Sequence, residues 1–246
     1  MFPIRYLRHA ADRILASRGY ELRPIGAAPK GYARFLSDVG RFGVDPKTVF
    51  DIGVGRGTTW LYEAFPAVKF VLVEPQRRFE RDIARWQTRL NADYHPIALG
   101  DAPSRAELFV PDFAPTSASL KRWSTETTDL VDRRGHSRSG SFQSVDVQTL
   151  DTINHYQPPF LLKIDVEGSE LGVLRGARRT LSETDLILLE ISIKPHFNGE
   201  ANLGEIYQYL REHGFRLFDL VELSQDSLGG QLSYVDAAFI KCGLSR

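Results

Sequence analysis

The stretch Thr48-Val49-Phe50-Asp51-Ile52-Gly53-Val54-Gly55-Arg56-Gly57-Thr58-Thr59-Trp60, followed by Lys69-Phe70-Val71-Leu72-Val73-Glu74-Pro75, decides the fold. A β-branched and aromatic run leads into glycines at three alternate positions, and a short amphipathic segment, residues 58–65, follows. A second apolar run then ends in an acid. This is the pattern of a β-α-β unit with a glycine-rich first turn. Glycine takes positive φ without strain, lets a ligand approach the main chain and lets a helix pack closely on a strand. Glu74, at the end of the second strand, can accept hydrogen bonds from two ribose hydroxyls.

Two cofactor classes use this layout. Dinucleotide enzymes prefer G-x-G-x-x-G with a pyrophosphate at the helix N-terminus. Here the spacing is G-x-G-x-G, followed by Thr58 and Thr59. Asp51, just before the turn, disfavours a second anion and suits a cation. S-adenosylmethionine (SAM) carries a sulfonium and an ammonium and no phosphate, so it fits the stretch better. A turn whose glycines serve packing alone is the third reading.

Elsewhere the totals are those of an ordinary soluble domain. The 246 residues suit one α/β domain with a modest extension. Lys plus Arg equals Asp plus Glu at 31 each, which gives no global pull toward nucleic acid or an anionic membrane. One cysteine, Cys242, excludes an internal disulfide and a Cys-rich zinc site. No apolar run approaches the ~20 residues that span a bilayer. The N-terminal residues are charged where a signal peptide needs an apolar core, so a cytoplasmic enzyme is expected.

Residues 1–45 read as a helical extension. Ile4, Leu7, Ala11, Ile14 and Leu15 recur at helical spacing, with Arg5, Arg8, His9, Asp12 and Arg13 on the other faces. Docking on the main domain is the expectation, and contact with a membrane surface or a partner is the alternative. Residues 32–39 read as a second short helix. After Glu74 come a charged helix over 79–90, a strand over 94–99 and a short strand over 106–110. Residues 111–141 lack periodicity and carry the basic cluster Arg133, Arg134, His136 and Arg138. So long a segment is expected to be a mobile lid on the substrate side, or else a disordered insertion. Strands over 142–150 and 160–166, a helix over 171–181, a strand over 186–191, a helix over 203–213 and final strands over 215–220 and 234–242 complete the chain. The last two strands have no helix between them, which predicts an antiparallel pair at the edge of a mostly parallel, doubly wound sheet over 46–246. Ligands bind such sheets beyond the carboxyl ends of the strands. Asp51, Glu74, Asp165 and Glu190 all fall at strand C-termini, where unpaired carboxylates repel and a cationic cofactor or a metal relieves them.

These residues resemble the FkbM family of SAM-dependent methyltransferases over about residues 48–242. Phe50-Asp51-Ile52-Gly53-Val54-Gly55-Arg56-Gly57 resembles the family's D-V-G-A-N-x-G turn, and Val71-Leu72-Val73-Glu74-Pro75 its strand ending in E-P. Leu150-Asp151, then Leu161-Leu162-Lys163-Ile164-Asp165-Val166-Glu167-Gly168-Ser169-Glu170, resembles its most specific block. Ala98-Leu99-Gly100 and the serines Ser117 and Ser119 before Leu120 also look like family features. Gly55-Arg56 departs from the family pattern and puts a cation near the methionine end of the cofactor. The resemblance implies a Rossmann-like class I methyltransferase fold and transfer of a methyl group from SAM to a hydroxyl of a small molecule or glycan. Asp51, Gly53, Gly55, Gly57, Thr58, Glu74 and Leu99 are then the candidate cofactor contacts. An attacking alcohol must lose a proton, which calls for a base or an acidifying metal. Asp165 is the first candidate base and His196 the second, and Asp165 with Glu190 could hold Mg2+. Glu167 and Glu170 either join that site or simply favour the helix N-terminus. Lys163, inside an apolar strand, either reaches the rim or pairs with a carboxylate. The cluster Arg133 to Arg138 would grip an acidic acceptor or merely be solvated.

Two rivals differ in class. An NAD-dependent or nucleotide-sugar oxidoreductase of Rossmann topology predicts Tyr-x-x-x-Lys, which the chain does not contain. A non-enzymatic SAM- or nucleotide-binding scaffold would keep the glycine turn and Glu74 but not Asp165 and Glu190. No nucleic-acid partner is expected.

Overall fold

A computed structural model of the protein describes residue 29, residues 31–225 and residues 230–244. The amphipathic helix expected within residues 4–15 lies outside them. The described chain opens with α1 (Tyr32–Asp38) and a 3-10 turn (Val39–Phe42). Then come β1 (Thr48–Ile52), α2 (Thr59–Ala64), β2 (Lys69–Val73), α3 (Glu80–Gln87) and β3 (Ala92–His95). A smaller unit follows, with β4 (Ala98–Leu99), β5 (Ser104–Pro111), α4 (Thr125–Arg133) and β6 (Gly140–Gln148). The chain returns through α5 (Leu150–Ile153), β7 (Phe160–Ile164), α6 (Glu170–Arg175), α7 (Arg178–Ser182), β8 (Thr184–Ser192) and α8 (Leu203–Glu212), and ends in β9 (Phe215–Gln225) and β10 (Leu232–Lys241).

Among the described residues the main sheet has seven strands in the order β3-β2-β1-β7-β8-β10-β9. Its first five strands are parallel, and β10 runs antiparallel to both β8 and β9. The fold is therefore the mostly parallel, doubly wound sheet expected. The antiparallel strand lies one place in from the edge, because β9 crosses over and β10 returns between β8 and β9.

Alternation along the strands splits the core in two. Phe50 and Ile52 face one layer with Leu162, Ile164, Val173 and Phe239. Val49 faces the other with Leu161, Leu61, Phe70 and Ile83. All five residues of β1 and of β7 are buried, as strands covered on both faces require. The same period places Asp51 and Lys163, register partners across β1 and β7, on the second of these faces.

The run 94–99, expected as one strand, is two strands in different sheets. Pro96 falls between them, and proline cannot donate to a ladder. β3 stays with β2, while β4 joins a three-stranded sheet of order β4-β6-β5. The segment expected as a lid connects β5 to β6. It carries α4, whose N-cap Ser124 accepts from Thr127 N, and it is bridged to the rest of the protein at Phe109–Ser119 and Trp123–Phe197.

Candidate active site

Beyond the carboxyl ends of β1, β2, β7 and β8 lies a cavity of about 580 Å3. The glycine turn forms its floor. A Cβ on Gly53, at φ +82°, would stand 1.7 Å from the Asp165 carbonyl oxygen, so only glycine lets β1 and β7 close at this point. Gly55 differs, because a Cβ there would meet nothing nearer than Thr116 Cγ2 at 3.9 Å. Gly53 thus serves main-chain packing, and Gly55 leaves a bare face toward the cavity.

Glu74 sits on the β2 side, 4% exposed. Its carboxylate accepts from Gly55 N and from Gln76 N, each at 2.9 Å. It therefore braces the glycine turn while lining the cavity. Burial holds its pKa above the usual carboxylate range, against those two amide donors. Gln76 lines the cavity at 3% exposure. Its Nε2 donates to Pro115 O at 3.0 Å, and its Oε1 is buried without a protein partner among the described residues. Ile97, Leu99 and Leu108 give this end apolar walls.

On the β7 side the turn after Ile164 brings acids together. Carboxylate oxygens of Asp165, Glu167 and Glu190 lie within 4.8 Å of one another. Glu167 has φ +53°, rare for a residue with a side chain, and Ser119 Oγ donates to its carbonyl at 2.6 Å. The crossover from β5 to β6 thus holds this turn directly. Glu170 is buried and accepts from Val166 N and Gly168 N, so it serves the turn. Burial first, and then the charge of Asp165, push Glu167 and Glu190 well above the usual carboxylate range. Burial likewise raises Glu170 to about 7 and Asp236 to about 6.

These carboxyls bind protons more tightly folded than unfolded, so their contribution is fully present below the ordinary carboxylate pKa and is lost as pH rises through the raised values. The ligand-free protein should therefore melt lower at pH 8.5 than at pH 5.5. Each kcal/mol lost corresponds to about 2–4 °C for a chain of this size. Glu167→Gln should flatten that slope, and a scanning-calorimetry profile with the wild-type slope in the variant would reject this origin for it.

The remaining sequence candidates divide. Gly57, Thr58 and Leu99 line the cavity with Gly53, Gly55, Glu74, Asp165 and Glu190. Asp51 is corrected. It is fully buried beneath the turn and does not line the cavity, because the strand alternation points it the other way. Its Oδ2 accepts from the Tyr62 hydroxyl at 2.6 Å, and its Oδ1 lies 3.4 Å from Lys163 Nζ. Lys163 also donates to Gly53 O at 2.7 Å and stands 3.4 Å from Asp165 Oδ2. Burial works against its ammonium, but Asp165 and Asp51 outweigh it and hold its pKa up. His196 does not line the cavity either. It is 8% exposed, its Nε2 is 2.9 Å from Ser233 Oγ, and its ring stacks on Tyr234. The local order of the sequence could not show that β10, through Ser233 and Tyr234, claims this ring.

Among the cavity residues that the sequence did not single out are Gln76, Ile97, Leu108, Tyr32, Trp60 and Asp236. Tyr32 and Trp60 stack with ring centroids 3.6 Å apart, and the Tyr32 side chain neighbours the Asp236 carboxyl. Asp236 faces Glu190 in the β8–β10 register. Its one sequence signal was an acid inside an otherwise apolar final strand.

A glycine-floored cavity at the carboxyl ends of a doubly wound sheet, with an acid closing β2, defines the nucleotide-type ligand-binding class of α/β proteins. A family model described as the methyltransferase FkbM domain matches residues 51–217, and the chain belongs to this family. No curated relative matches the sequence. Among solved structures, the chain is similar to methyltransferase FkbM from Methylobacillus flagellatus KT, with 19% identity and a TM-score of 0.49 over 85% of this chain and 48% of that one. It is also similar to magnesium protoporphyrin IX methyltransferase from Synechocystis PCC 6803, with 9% identity and a TM-score of 0.47 over 85% and 76%. The chain thus spans about half the length of the first of these. Among the described residues no helix is long and apolar enough to cross a membrane.

Proposed function

We propose that the protein is a SAM-dependent methyltransferase that methylates a hydroxyl of a small-molecule or glycan acceptor. The observation that carries this reading is the cavity itself, with the bare face of Gly55 and the Glu74 carboxylate on one side and the acids after β7 and β8 on the other. Its volume of about 580 Å3 is that of a small-molecule site.

The residues present fit SAM. Glu74 has lone pairs left for ribose hydroxyls beyond its two amide donors. Ile97, Leu99 and Leu108 suit the flat base, and Gln76 Oε1 lacks the N–H donor that an adenine carries. Asp165 and Glu167 suit the positive end of the ligand, and Arg56 its carboxylate. When bound, SAM supplies an activated methyl group. The protein's own part is alignment, exclusion of water and acceptance of the proton that the acceptor hydroxyl sheds. Asp165 is the group we assign to that proton. It lines the cavity with its carboxylate 38% exposed, and Lys163 fixes it from below.

Calorimetric titration with S-adenosylhomocysteine tests the cofactor. Binding is expected with no comparable NAD binding, and the reverse result would sink the proposal. Glu74→Ala should weaken S-adenosylhomocysteine binding by roughly 1.5–3 kcal/mol, about 10- to 150-fold, since a charged hydrogen-bond acceptor is lost. Unchanged affinity would remove Glu74 from the site.

A further inference from the structure

With its carboxyls fully ionised, the cavity would carry more negative charge than SAM can meet. Its described lining includes five carboxylates, on Glu74, Asp165, Glu167, Glu190 and Asp236, and two cations, on Arg56 and Lys163. Three negative charges remain when all ionise. Lys163 is moreover shared with Asp51. SAM brings a net charge of +1, so about two negative charges stay uncompensated. Without a further cation some of these carboxyls keep protons, and a cation in the cavity lets them ionise.

The placement of the excess matters more than its size. Asp236 and Glu190 stand opposite one another on β10 and β8, away from the glycine turn and Glu74. Beside them the wall is aromatic. Tyr32 from α1 stacks on Trp60 from α2 and neighbours the Asp236 carboxyl. A bare metal ion has no use for an aromatic wall, whereas an organic ammonium gains from ring faces and carboxylates together. A separate sign that this cavity takes a ligand is Gln76 Oε1, which is buried there without a protein partner among the described residues.

We propose that Tyr32, Trp60, Asp236 and Glu190 form the acceptor-recognition wall, and that the acceptor carries an ammonium group near the hydroxyl it presents, as an amino sugar or amino alcohol does. This rests on the methyltransferase reading and names its acceptor class. The amine is held by Asp236 and Glu190. The neighbouring hydroxyl faces Asp165, which takes its proton as the oxygen–methyl bond forms, the sulfur–methyl bond breaks and the sulfonium leaves as a neutral thioether. The wall belongs in part to α1, so the segment before the glycine turn contributes to specificity.

The test uses matched ligands in the presence of saturating S-adenosylhomocysteine: glucosamine against glucose, and 2-aminocyclohexanol against cyclohexane-1,2-diol, followed by ligand-observed NMR and calorimetry. The amine is expected to bind at least about tenfold tighter in one pair or both, as a charged hydrogen bond supplies. Asp236→Asn and Tyr32→Leu should each erase most of that preference while leaving S-adenosylhomocysteine affinity unchanged. Tyr32→Phe, which keeps the stack, serves should the leucine variant unfold. Equal binding within both pairs, or binding of neither member while S-adenosylhomocysteine binds, overturns the proposal. So does tight Mg2+ or Mn2+ binding that Asp236→Asn leaves untouched and that alone restores acceptor binding, because the missing cation is then a metal. Failure to bind S-adenosylhomocysteine at all would instead defeat the methyltransferase reading on which the proposal stands.

Discussion

Replacing Lys163 with methionine should destabilise the protein by about 3–5 kcal/mol, the cost of stripping a buried charge of its partner. Asp51 is fully buried and Lys163 nearly so. The Tyr62 hydroxyl gives Asp51 one hydrogen bond, but Lys163 is the cation beside its other oxygen. Methionine fills a similar volume, so the loss would come from electrostatics and not from a cavity. The Gly53 carbonyl would lose its donor as well. Adding Asp51→Asn should recover much of the loss, since the orphaned charge is then gone. Urea denaturation of both variants measures this. A Lys163→Met protein within about 1 kcal/mol of wild type would show that Asp51 is already neutral or otherwise satisfied.

Asp165→Asn should lower methyl transfer by about 10²–10⁴-fold, the range for a lost general base, while the protein stays folded. Its carboxylate is 38% exposed and paired with Lys163 at 3.4 Å, so the amide replaces it with little change of volume and a small cost in stability. The amide cannot take a proton from the acceptor. Single-turnover measurements, together with circular dichroism and S-adenosylhomocysteine titration, separate lost chemistry from lost binding. Near wild-type turnover in a folded variant would reduce Asp165 to support for the turn after β7.

How much of this was legible depended on the range of the interaction that fixes each residue. The glycine turn, Glu74, Asp165 and Glu190 are set by local pattern, with apolar runs ending in acids, and all line the cavity. Asp51 has the same local signature and points away, because period-two alternation decides its face and pairs it with Lys163. Helix α4 left no apolar stripe to find, since Val131 is its one buried residue. Its cap, Ser124 with Thr127, was the available signal. The split of residues 94–99 was marked by Pro96. Tyr32, Trp60 and Asp236 come from α1, α2 and β10, and only the folded sheet brings them to one wall. His196 looked available because its neutral-range titration is a property of the residue type, whereas Ser233 and Tyr234, which hold it, lie far along the chain.

The contact between Gly53 and the Asp165 carbonyl has a kinetic meaning. Methyl transfer depends on the alignment of donor and acceptor, and a misplacement of about 1 Å can cost ~10²-fold in rate. Here the glycine turn and the turn that carries Asp165, the proposed proton acceptor, abut at a glycine with no side chain between them, and Asp165 N donates to Ile52 O across the same junction at 3.1 Å. On that reading the two turns should move as one body when the surrounding loops breathe. Access to the site would then fluctuate while the relative aim of the two proposed reactants stays constant.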